Sequence, residues 1–178
     1  MKELIPGLNK KIRRIKGFKK GVIFWDWTPL TLDPISLKKT VNAFVKHYKN
    51  KRIDYIASIE SRGFIIGSVV AYLLGVGFIW IRKKGGLPYK TIEESFVKEY
   101  GADNIEMHKD SIKKGDRVLI LDDLLATGDT ALAACKLVER LGGKVVELAF
   151  IIEFTEFAAQ KKLNDYEIFS LIKCKEDE

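Results

Sequence analysis

Apolar residues along the chain repeat with two different periods, and the two alternate from one segment to the next. Continuous apolar runs rich in Val, Ile and Leu indicate buried strands. Segments in which apolar residues recur every three or four positions indicate helices that pack by one face. The predicted strands cover residues 53–59, 78–81, 117–121, 145–152 and 167–172, and the predicted helices cover residues 36–48, 64–74, 129–141 and 155–162.

This alternation predicts an α/β fold, with a mainly parallel central sheet flanked by helices on both faces. Ser36 is predicted to cap the first helix, because it follows an Asp-Pro pair. Residues 1–35 are predicted to be irregular, since Gly and Pro punctuate them. Residues 82–91 are basic and rich in Gly, which predicts a loop, and the weak period of residues 92–108 indicates a hairpin or flap.

The composition is that of a globular protein, with 178 residues, 47% of them hydrophobic and 31% charged. The length predicts a single domain over residues 1–178. No apolar run reaches the roughly eighteen residues of a membrane span, and residues 1–7 lack the apolar core of a signal peptide. Cys135 and Cys174 show neither metal-ligand spacing nor a disulfide framework, so we expect a cytoplasmic setting.

A net charge of +7 favours anionic partners, whether nucleic acid, a membrane surface or phosphorylated small molecules. Seven of the eleven residues from Lys10 to Lys20 are Lys or Arg. The simplest interpretation of this cluster is a solvated basic face. Charge alone does not select among the partners, so the choice depends on motifs.

The most informative segment joins a predicted strand to a predicted helix. The strand ends in two carboxylates, Asp122 and Asp123, and a short loop with Thr127, Gly128 and Thr130 leads into the helix. In an open α/β sheet, ligands bind at the carboxyl ends of strands, and unpaired N–H groups in the first turn of a helix bind phosphate. Ionised carboxylates accept hydrogen bonds from sugar hydroxyls and bind Mg²⁺. The segment therefore predicts a ligand with a phosphate and a vicinal diol.

The stretch Leu121-Asp-Asp-Leu-Leu-Ala-Thr-Gly-Asp-Thr130 resembles the 5-phosphoribosyl-1-pyrophosphate signature of the type I phosphoribosyltransferases. Its Asp-Leu-Leu-Ala-Thr-Gly form is typical of the members that use adenine. Three further segments resemble that family in the same chain order, so the resemblance covers roughly residues 5–154. They are Gly21-Val-Ile-Phe24 with Asp26 and Pro29, Glu60-Ser-Arg-Gly-Phe64, and Arg82-Lys-Lys-Gly85 with Leu87-Pro88 and Glu99-Tyr-Gly101.

The resemblance implies the type I phosphoribosyltransferase fold, with residues 1–35 as a small base-binding hood and residues 82–108 as a flexible catalytic flap. It also implies a function in purine salvage. The 5-phosphoribosyl group of 5-phosphoribosyl-1-pyrophosphate would pass to N9 of adenine, giving AMP and pyrophosphate. Mg²⁺ is the expected cofactor and a homodimer the expected assembly, with no membrane or nucleic-acid partner.

The resemblance assigns roles to matched positions. Asp122 and Asp123 would hold the ribose hydroxyls and, through them or through water, Mg²⁺. The candidate catalytic residues are Arg62, whose guanidinium fork fits pyrophosphate oxygens, and Glu99, which would handle the purine proton. The other candidate substrate-binding residues are Ala126, Thr127, Gly128, Asp129 and Thr130 around the 5-phosphate, Ile23, Phe24, Trp25 and Leu124 around the purine, and Arg82, Lys83 and Tyr100 in the flap.

Three positions depart from the family pattern. Trp25 stands where Arg is usual, and an indole there could stack on a purine. Gly86 stands where a phosphate-contacting Lys is usual, and Tyr89 follows in place of Gly. Asp129 often corresponds to Gly, and a carboxylate is tolerable beside a phosphate only if it points away or if only its backbone N–H is used.

Two alternatives remain open from the residues. The first is a transferase for another base, such as hypoxanthine or guanine. Enzymes for 6-oxopurines commonly carry an Asp at the position of Ala126, so the alanine favours adenine. The second is a regulator of the same fold that binds a nucleotide without catalysis and touches nucleic acid through its basic N-terminus. Steeply salt-dependent binding to RNA or DNA without turnover would distinguish it.

Overall fold

A computed structural model of the chain describes residues 1–19, 22–98, 101–157 and 159–177. Strands and helices follow one another along these residues much as the two periods predict. The strands are β1 (Lys2–Glu3), β2 (Arg13–Lys19), β3 (Val22–Asp26), β4 (Tyr55–Ile59), β5 (Gly77–Lys83), β6 (Thr91–Lys98), β7 (Gly101–His108), β8 (Arg117–Leu125), β9 (Lys144–Phe154) and β10 (Ile168–Cys174). The helices are α1 (Thr28–Leu32), α2 (Pro34–Tyr48), α3 (Arg62–Leu74), α4 (Asp129–Arg140) and α5 (Ala159–Lys162), with a 3₁₀ helix at Leu8–Lys11.

Over the described residues, the main sheet has eight strands in the order β1-β10-β9-β8-β4-β5-β7-β6. The strands from β10 to β5 run parallel to one another, while β1, β6 and β7 pair antiparallel at the two edges. The predicted α/β class, with a mainly parallel sheet flanked by helices, is therefore confirmed. Strands β2 and β3 form a separate two-stranded sheet at the N-terminal end.

Both faces of the central strand β8 are buried, because its side chains alternate between two apolar clusters. Leu119 and Leu121 pack on the side covered by α2 and α3. Val118 and Ile120 pack on the opposite side with α4 and α5. Within the described parts of the chain, each helix is too short or too polar to cross a bilayer.

The first long helix starts two residues earlier than predicted. Asp33, rather than Ser36, is its N-cap: the Asp33 carboxylate accepts hydrogen bonds from the Ile35 N–H at 3.2 Å and from the Ser36 hydroxyl at 2.7 Å. Pro34 then occupies the first helical position, where its missing N–H is harmless. The prediction gave the capping role to Ser36, but a carboxylate one residue before the proline satisfies the free N–H groups instead.

Two further predictions are wrong in their bounds. Residues 1–35 are not irregular, since β2, β3 and α1 lie there; the hairpin was missed because Lys, Arg and Gly interrupt the apolar pattern of β2 and because β3 is only five residues long. Strand β8 does not end at Leu121, because its pairing with β9 continues to Leu125 opposite Glu153. The acid pair therefore lies within the strand. The hairpin predicted in residues 92–108 is confirmed as β6 and β7, and its second strand pairs with β5 through Arg82 and Lys83.

Candidate active site

The topology places a crevice between β4 and β8. Strand β4 continues through α3 to β5 on one side, while β8 continues through α4 to β9 on the other. The two strands pair only as far as Ala57 opposite Ile120, and they separate beyond that point. This is the reversal of strand order at which open α/β sheets bind their ligands. The loops after β4 and β8 therefore face each other across a gap.

The gap opens into a cleft of about 480 Å³. It adjoins a smaller cavity of about 90 Å³ inside the loop after β8. The cleft is lined by Phe24, Ile59, Glu60, Ser61, Arg62, Lys83, Phe96, Asp103, Ile105, Asp122, Asp123, Leu124 and Thr130. The cavity is lined by Asp122, Leu124, Leu125, Ala126, Thr127, Gly128, Thr130, Ala131 and Phe150. Since both share Asp122, Leu124 and Thr130, they form one site with two ends.

Asp123 is a buried carboxylate of the cleft that bonds to the Trp27 and Arg62 side chains. Its Oδ2 accepts a hydrogen bond from the Trp27 indole N–H at 2.8 Å. The same oxygen forms an ion pair with Arg62, whose Nε lies 2.9 Å away. Burial raises the pKa of Asp123, and the Arg62 guanidinium opposes that rise. Arg62 also donates to the Trp25 carbonyl at 3.3 Å. The arginine is thus oriented in the cleft by one side chain and one backbone group.

Asp122 lies against the first turn of α3. Its Oδ1 accepts a hydrogen bond from the Asp123 N–H at 2.9 Å. A side chain at Gly63 would have its Cβ only 2.5 Å from Asp122 Oδ1, so the helix can approach the carboxylate this closely only with glycine there. Loss of hydration, followed by repulsion from Asp123, raises the pKa of Asp122 well above its usual range. Arg62 compensates part of this charge, and the two adjacent acids still suit a ligand with hydroxyls or a cation.

The loop after β8 forms an anion cradle at the start of α4. Gly128 has φ +84°, a left-handed conformation that favours glycine, and a Cβ there would meet Ala159 at 3.2 Å. The cavity beneath is lined by Thr127 and Thr130 among others, and the first-turn N–H groups of α4 have no partners within the helix. Asp129, the residue that departs from the family pattern, does not line the cavity. Its carboxylate turns to Lys162, whose Nζ lies 2.7 Å from both Oδ atoms.

Another wall of the cleft, where the sequence predicts the purine, is formed by β3 and β8. Phe24 and Leu124 line it, and the Arg62 guanidinium lies over the Phe24 ring with Cζ 5.0 Å from the ring centre. Trp25 does not line the cleft: its side chain is 2% exposed and packs edge-on against Phe154. The suggested stacking of this indole on a purine is therefore not supported by its position, because neighbouring side chains of a strand point to opposite faces.

The C-terminal segment is hydrogen-bonded to β3. The Trp25 indole N–H donates to the Glu176 carbonyl at 3.1 Å, and the Ile23 N–H donates to the Glu176 carboxylate at 3.4 Å. Ile23 lines a separate pocket of about 400 Å³ with Glu156 and Glu176 rather than the cleft. The side chains of Ile23 and Trp25 thus lie beside the wall that Phe24 forms and do not line the cleft.

The flap residues divide between the cleft and its wall. Lys83 lines the cleft, whereas Arg82 forms an ion pair with Glu60 and donates to the Gly86 carbonyl at 2.5 Å. A Cβ at Gly86 would come within 3.0 Å of Arg82 Nε and the Lys83 carbonyl. The missing side chain at residue 86 thus leaves room for the Arg82 guanidinium. Glu99 and Tyr100 lie outside the described residues, so their predicted roles stay predictions.

Several residues at the site were not predicted from the sequence. Trp27 donates to Asp123 from 96 positions away, and no local pattern marks it. Asp103 and Phe96 line the cleft from the β6–β7 hairpin, and only their place in a predicted flap could have suggested them. Lys162 is one of many lysines, and its contact with Asp129 spans 33 positions. Contacts over such sequence separations depend on the fold and cannot be read from spacing.

Comparison with known proteins decides the family. Residues 28–178 match the family described as phosphoribosyl transferase domain. The adenine phosphoribosyltransferase of Clostridium beijerinckii is 50% identical over 167 residues, which is 93% of this chain and 97% of that protein. The crystal structure of adenine phosphoribosyltransferase from Thermoanaerobacter pseudethanolicus has a TM-score of 0.91 at 45% identity, covering 94% of this chain and 98% of that one. The chain belongs to the adenine phosphoribosyltransferase family.

A third member of the adenine phosphoribosyltransferase family carries ligands. The Saccharomyces cerevisiae enzyme, complexed with D-2,5-dideoxy-2,5-imino-altritol 1,6-bisphosphate and adenine, has a TM-score of 0.87 at 37% identity, covering 92% of this chain and 96% of that chain. The fold expected from the type I signature is thereby confirmed.

Proposed function

We propose that the cleft transfers the 5-phosphoribosyl group of 5-phosphoribosyl-1-pyrophosphate to N9 of adenine, giving AMP and pyrophosphate in purine salvage. The chain is an enzyme of the pentosyl-transferring class, as its relatives at about half identity are. One observation carries the assignment to this cleft. An acid pair, Asp122 and Asp123, lies directly beside a phosphate cradle at the reversal point of the sheet. A ribose 5-phosphate needs these two features side by side.

The proposed placement of the substrates follows the two ends of the site. The 5-phosphate would occupy the cavity of residues 126–130, and the ribose hydroxyls would face Asp122 and Asp123. The purine would lie between Phe24 and Leu124, at the base end. The pyrophosphate would then extend toward Arg62 and Lys83, the cations that line the cleft.

The proposed chemistry is displacement at C1 of the ribose: purine N9 attacks and pyrophosphate leaves. Positive charge develops on the ribose and negative charge on the leaving group. Arg62, fixed by Asp123 and the Trp25 carbonyl, would stabilise that negative charge without moving. Glu99 is proposed to handle the purine proton.

Residues 82–108 are proposed as the lid of the site, and residues 1–35 as its base-binding hood. The described part of the hairpin already turns Phe96 and Ile105 toward the cleft, with Asp103 beside them. Apolar side chains over the ribose would exclude water, which would otherwise capture the ribosyl cation. The hood contributes Phe24 to the opposite wall.

The carboxylates of the cleft bear on Mg²⁺, the cofactor that the family implies. Among the described residues, no three His, Cys, Asp or Glu side chains are grouped so as to hold a cation by themselves. Two adjacent carboxylates do fit Mg²⁺, which usually keeps several waters and binds through one or two carboxylates and substrate phosphates. When bound with the donor, Mg²⁺ would neutralise charge on the pyrophosphate. Asp122 and Asp123 are proposed to hold it, directly or through ribose hydroxyls and water.

A homodimer is proposed because α3 is apolar on its outer face as well as its inner one. Ile65, Val69, Tyr72 and Leu73 are exposed there, and Tyr72 is 82% exposed. Trp80 of β5 extends the same apolar area, with its ring 6.1 Å from Phe64. A continuous apolar patch of this kind marks an interface, and a second copy is the proposed occupant. Sedimentation velocity should show a dimer that Val69→Glu with Tyr72→Glu dissociates, whereas Lys109→Glu leaves it intact.

Three of the seven basic residues between Lys10 and Lys20 are engaged within the chain, which weighs against the regulator alternative. Lys11 pairs with Asp33 at 2.9 Å, Arg13 with Asp26 at 3.6 Å, and the Arg14 guanidinium lies 4.2 Å from the Trp25 ring centre. These contacts reduce the charge that is available to nucleic acid. A cytoplasmic location is also proposed, since Cys135 and Cys174 are both buried thiols.

The test of this function is a base panel. Purified protein with 5-phosphoribosyl-1-pyrophosphate and Mg²⁺ is offered adenine, hypoxanthine, guanine and xanthine separately, while nucleotide and pyrophosphate are measured together. AMP and pyrophosphate in equal amounts from adenine alone are expected. Turnover of an oxopurine instead would move the base preference, and donor binding without any turnover would favour the regulator.

A further inference from the structure

Asp129 and Lys162 form a close ion pair at the edge of the phosphate cradle. Asp129 is the first residue of α4, and Lys162 is the last residue of α5. The Lys162 Nζ lies 2.7 Å from both carboxylate oxygens, so the pair is made symmetrically. Both side chains are partly exposed, at 41% for Lys162 and 28% for Asp129. Such an exposed pair contributes little to stability. Its position beside the phosphate cradle lets it affect ligand binding.

The cradle next to this pair is built for a dianion. Thr127 and Thr130 line the cavity, and the N-terminus of α4 adds its free N–H groups. An acidic side chain at the first position of α4 would repel a phosphate bound there if it turned inward. Asp129 does not line the cavity although its neighbours on both sides do, and its carboxylate is bonded to Lys162 while it also interacts with the Thr127 hydroxyl.

Helix α5 is held against the cradle independently of the ion pair. Gly128 fits so closely under α5 that a Cβ there would meet Ala159 at 3.2 Å and Leu163 at 3.4 Å. Ala159 and Leu163 are both buried. Lys162 is therefore presented to Asp129 by a packed backbone, and removal of its charge should leave α5 in place.

We infer that Lys162 is a positioning residue for the 5-phosphate: it holds the Asp129 carboxylate away from the cradle and cancels its charge. The Asp129 carboxylate also interacts with the Thr127 hydroxyl and with its own backbone N–H, so a phosphate would compete with it for these two donors, and the Lys162 charge would favour the outward position of the carboxylate. This inference deepens the proposed function, on which it rests, and it explains how the chain accommodates an acid at this position. Lys162 itself does not line the cavity and is not assigned a contact with the donor.

The test is a double-mutant cycle with donor affinity as the readout. The variants are Lys162→Met, Asp129→Asn and the two combined, with Lys161→Met as a matched exposed control. The dissociation constant of Mg²⁺–5-phosphoribosyl-1-pyrophosphate is measured by calorimetry, and KM and kcat are measured with adenine. Lys162→Met should weaken donor binding roughly five- to tenfold, because it leaves an unpaired charge beside the phosphate. Its kcat should change less than about twofold, and the combined variant should recover the wild-type affinity.

Two results would overturn the inference. Unchanged donor affinity in Lys162→Met would reduce the contact to a surface ion pair. Weakened affinity that persists when Asp129→Asn is added would mean that Lys162 acts on the donor or the fold directly; thermal unfolding of each variant separates these two causes. If the wild-type protein binds the donor but makes no AMP, the proposed function fails while the calorimetric cycle still tests the pair.

Discussion

The proposed phosphate side and the proposed base side of the cleft are built in different ways. On the phosphate side, the acid pair, the cradle and the start of α4 come from one continuous segment, residues 122–130. On the base side, β3 belongs to a separate two-stranded sheet and is held by Glu176, 151 positions from Trp25. Arg62 joins the two sides, since it contacts both Asp123 and the Trp25 carbonyl.

This difference predicts where substitutions act. The phosphate side rests on the central strand of a sheet that is buried on both faces, so its geometry is fixed by the core. A two-stranded hairpin is marginal by itself, so the base side depends on the packing of Trp25 in the core and on contacts with the C-terminal segment. Changes at the phosphate side should alter donor binding, whereas changes behind β3 should alter adenine binding alone.

The largest effect on the phosphate side is expected when the acid pair is neutralised. Asp122→Asn with Asp123→Asn removes the charges that face the ribose hydroxyls and Mg²⁺. We expect donor affinity to fall by more than about a hundredfold, beyond detection by calorimetry, since several charge-assisted contacts are lost together. Asp165→Asn, an exposed turn residue, is the matched control. Wild-type donor affinity in the double variant would refute the proposed role of Asp122 and Asp123 in donor binding.

Removal of the residue that joins the two sides comes next. Arg62→Ala should lower kcat with adenine by about a hundred- to a thousandfold, which is the usual effect of losing a cation or donor at a developing charge. Circular dichroism and thermal unfolding should show a folded protein, with Arg52→Ala as the exposed control. A kcat near that of the wild type at equal folded fraction would refute the role of Arg62.

Two tryptophans that are two residues apart sharpen the comparison. Trp25→Phe removes the donor to the Glu176 carbonyl, and Trp27→Phe removes the donor to Asp123. Each hydrogen bond is worth about 0.5–1.5 kcal/mol, so each variant should show a change of roughly two- to tenfold. We expect the change in the adenine KM for Trp25→Phe, and in the donor dissociation constant for Trp27→Phe. A chain ended after Lys175 should behave like Trp25→Phe; the reverse assignment would contradict the division into two sides.

The smallest effect concerns stability without ligands. The pKa of Asp122 is raised, so its protonated form is favoured in the folded state: the stability it contributes is full below its ordinary pKa of 3.8 and is lost as pH rises through the raised value. Asp122→Asn stays neutral and should unfold at a higher temperature than the wild type at pH 7 in Mg²⁺-free buffer. A gain of about 1 kcal/mol would correspond to roughly 2–4 °C. The difference should shrink toward pH 4, and a constant difference across pH would contradict the raised pKa.

The same contrast explains what the sequence could predict. The order of strands and helices followed from apolar periods, and residues 122–130 were recognisable because a buried strand, two acids and a cradle are contiguous. The hairpin of β2 and β3 was missed because Lys, Arg and Gly interrupt the apolar pattern of β2 and because β3 is short. The contacts of Trp27 with Asp123 and of Trp25 with Glu176 join residues about a hundred or more positions apart. Such contacts follow from the fold alone, and no local spacing marks them.

The division of the cleft is tested most directly by a crystal structure of the protein with AMP. The account predicts the phosphate on residues 126–130, the ribose hydroxyls at Asp122 and Asp123, and the purine against Phe24 and Leu124. Phosphate in that cradle with the purine in the pocket of Ile23 and Glu176 would contradict the base side. AMP bound away from Asp122 and Asp123 would contradict the account as a whole.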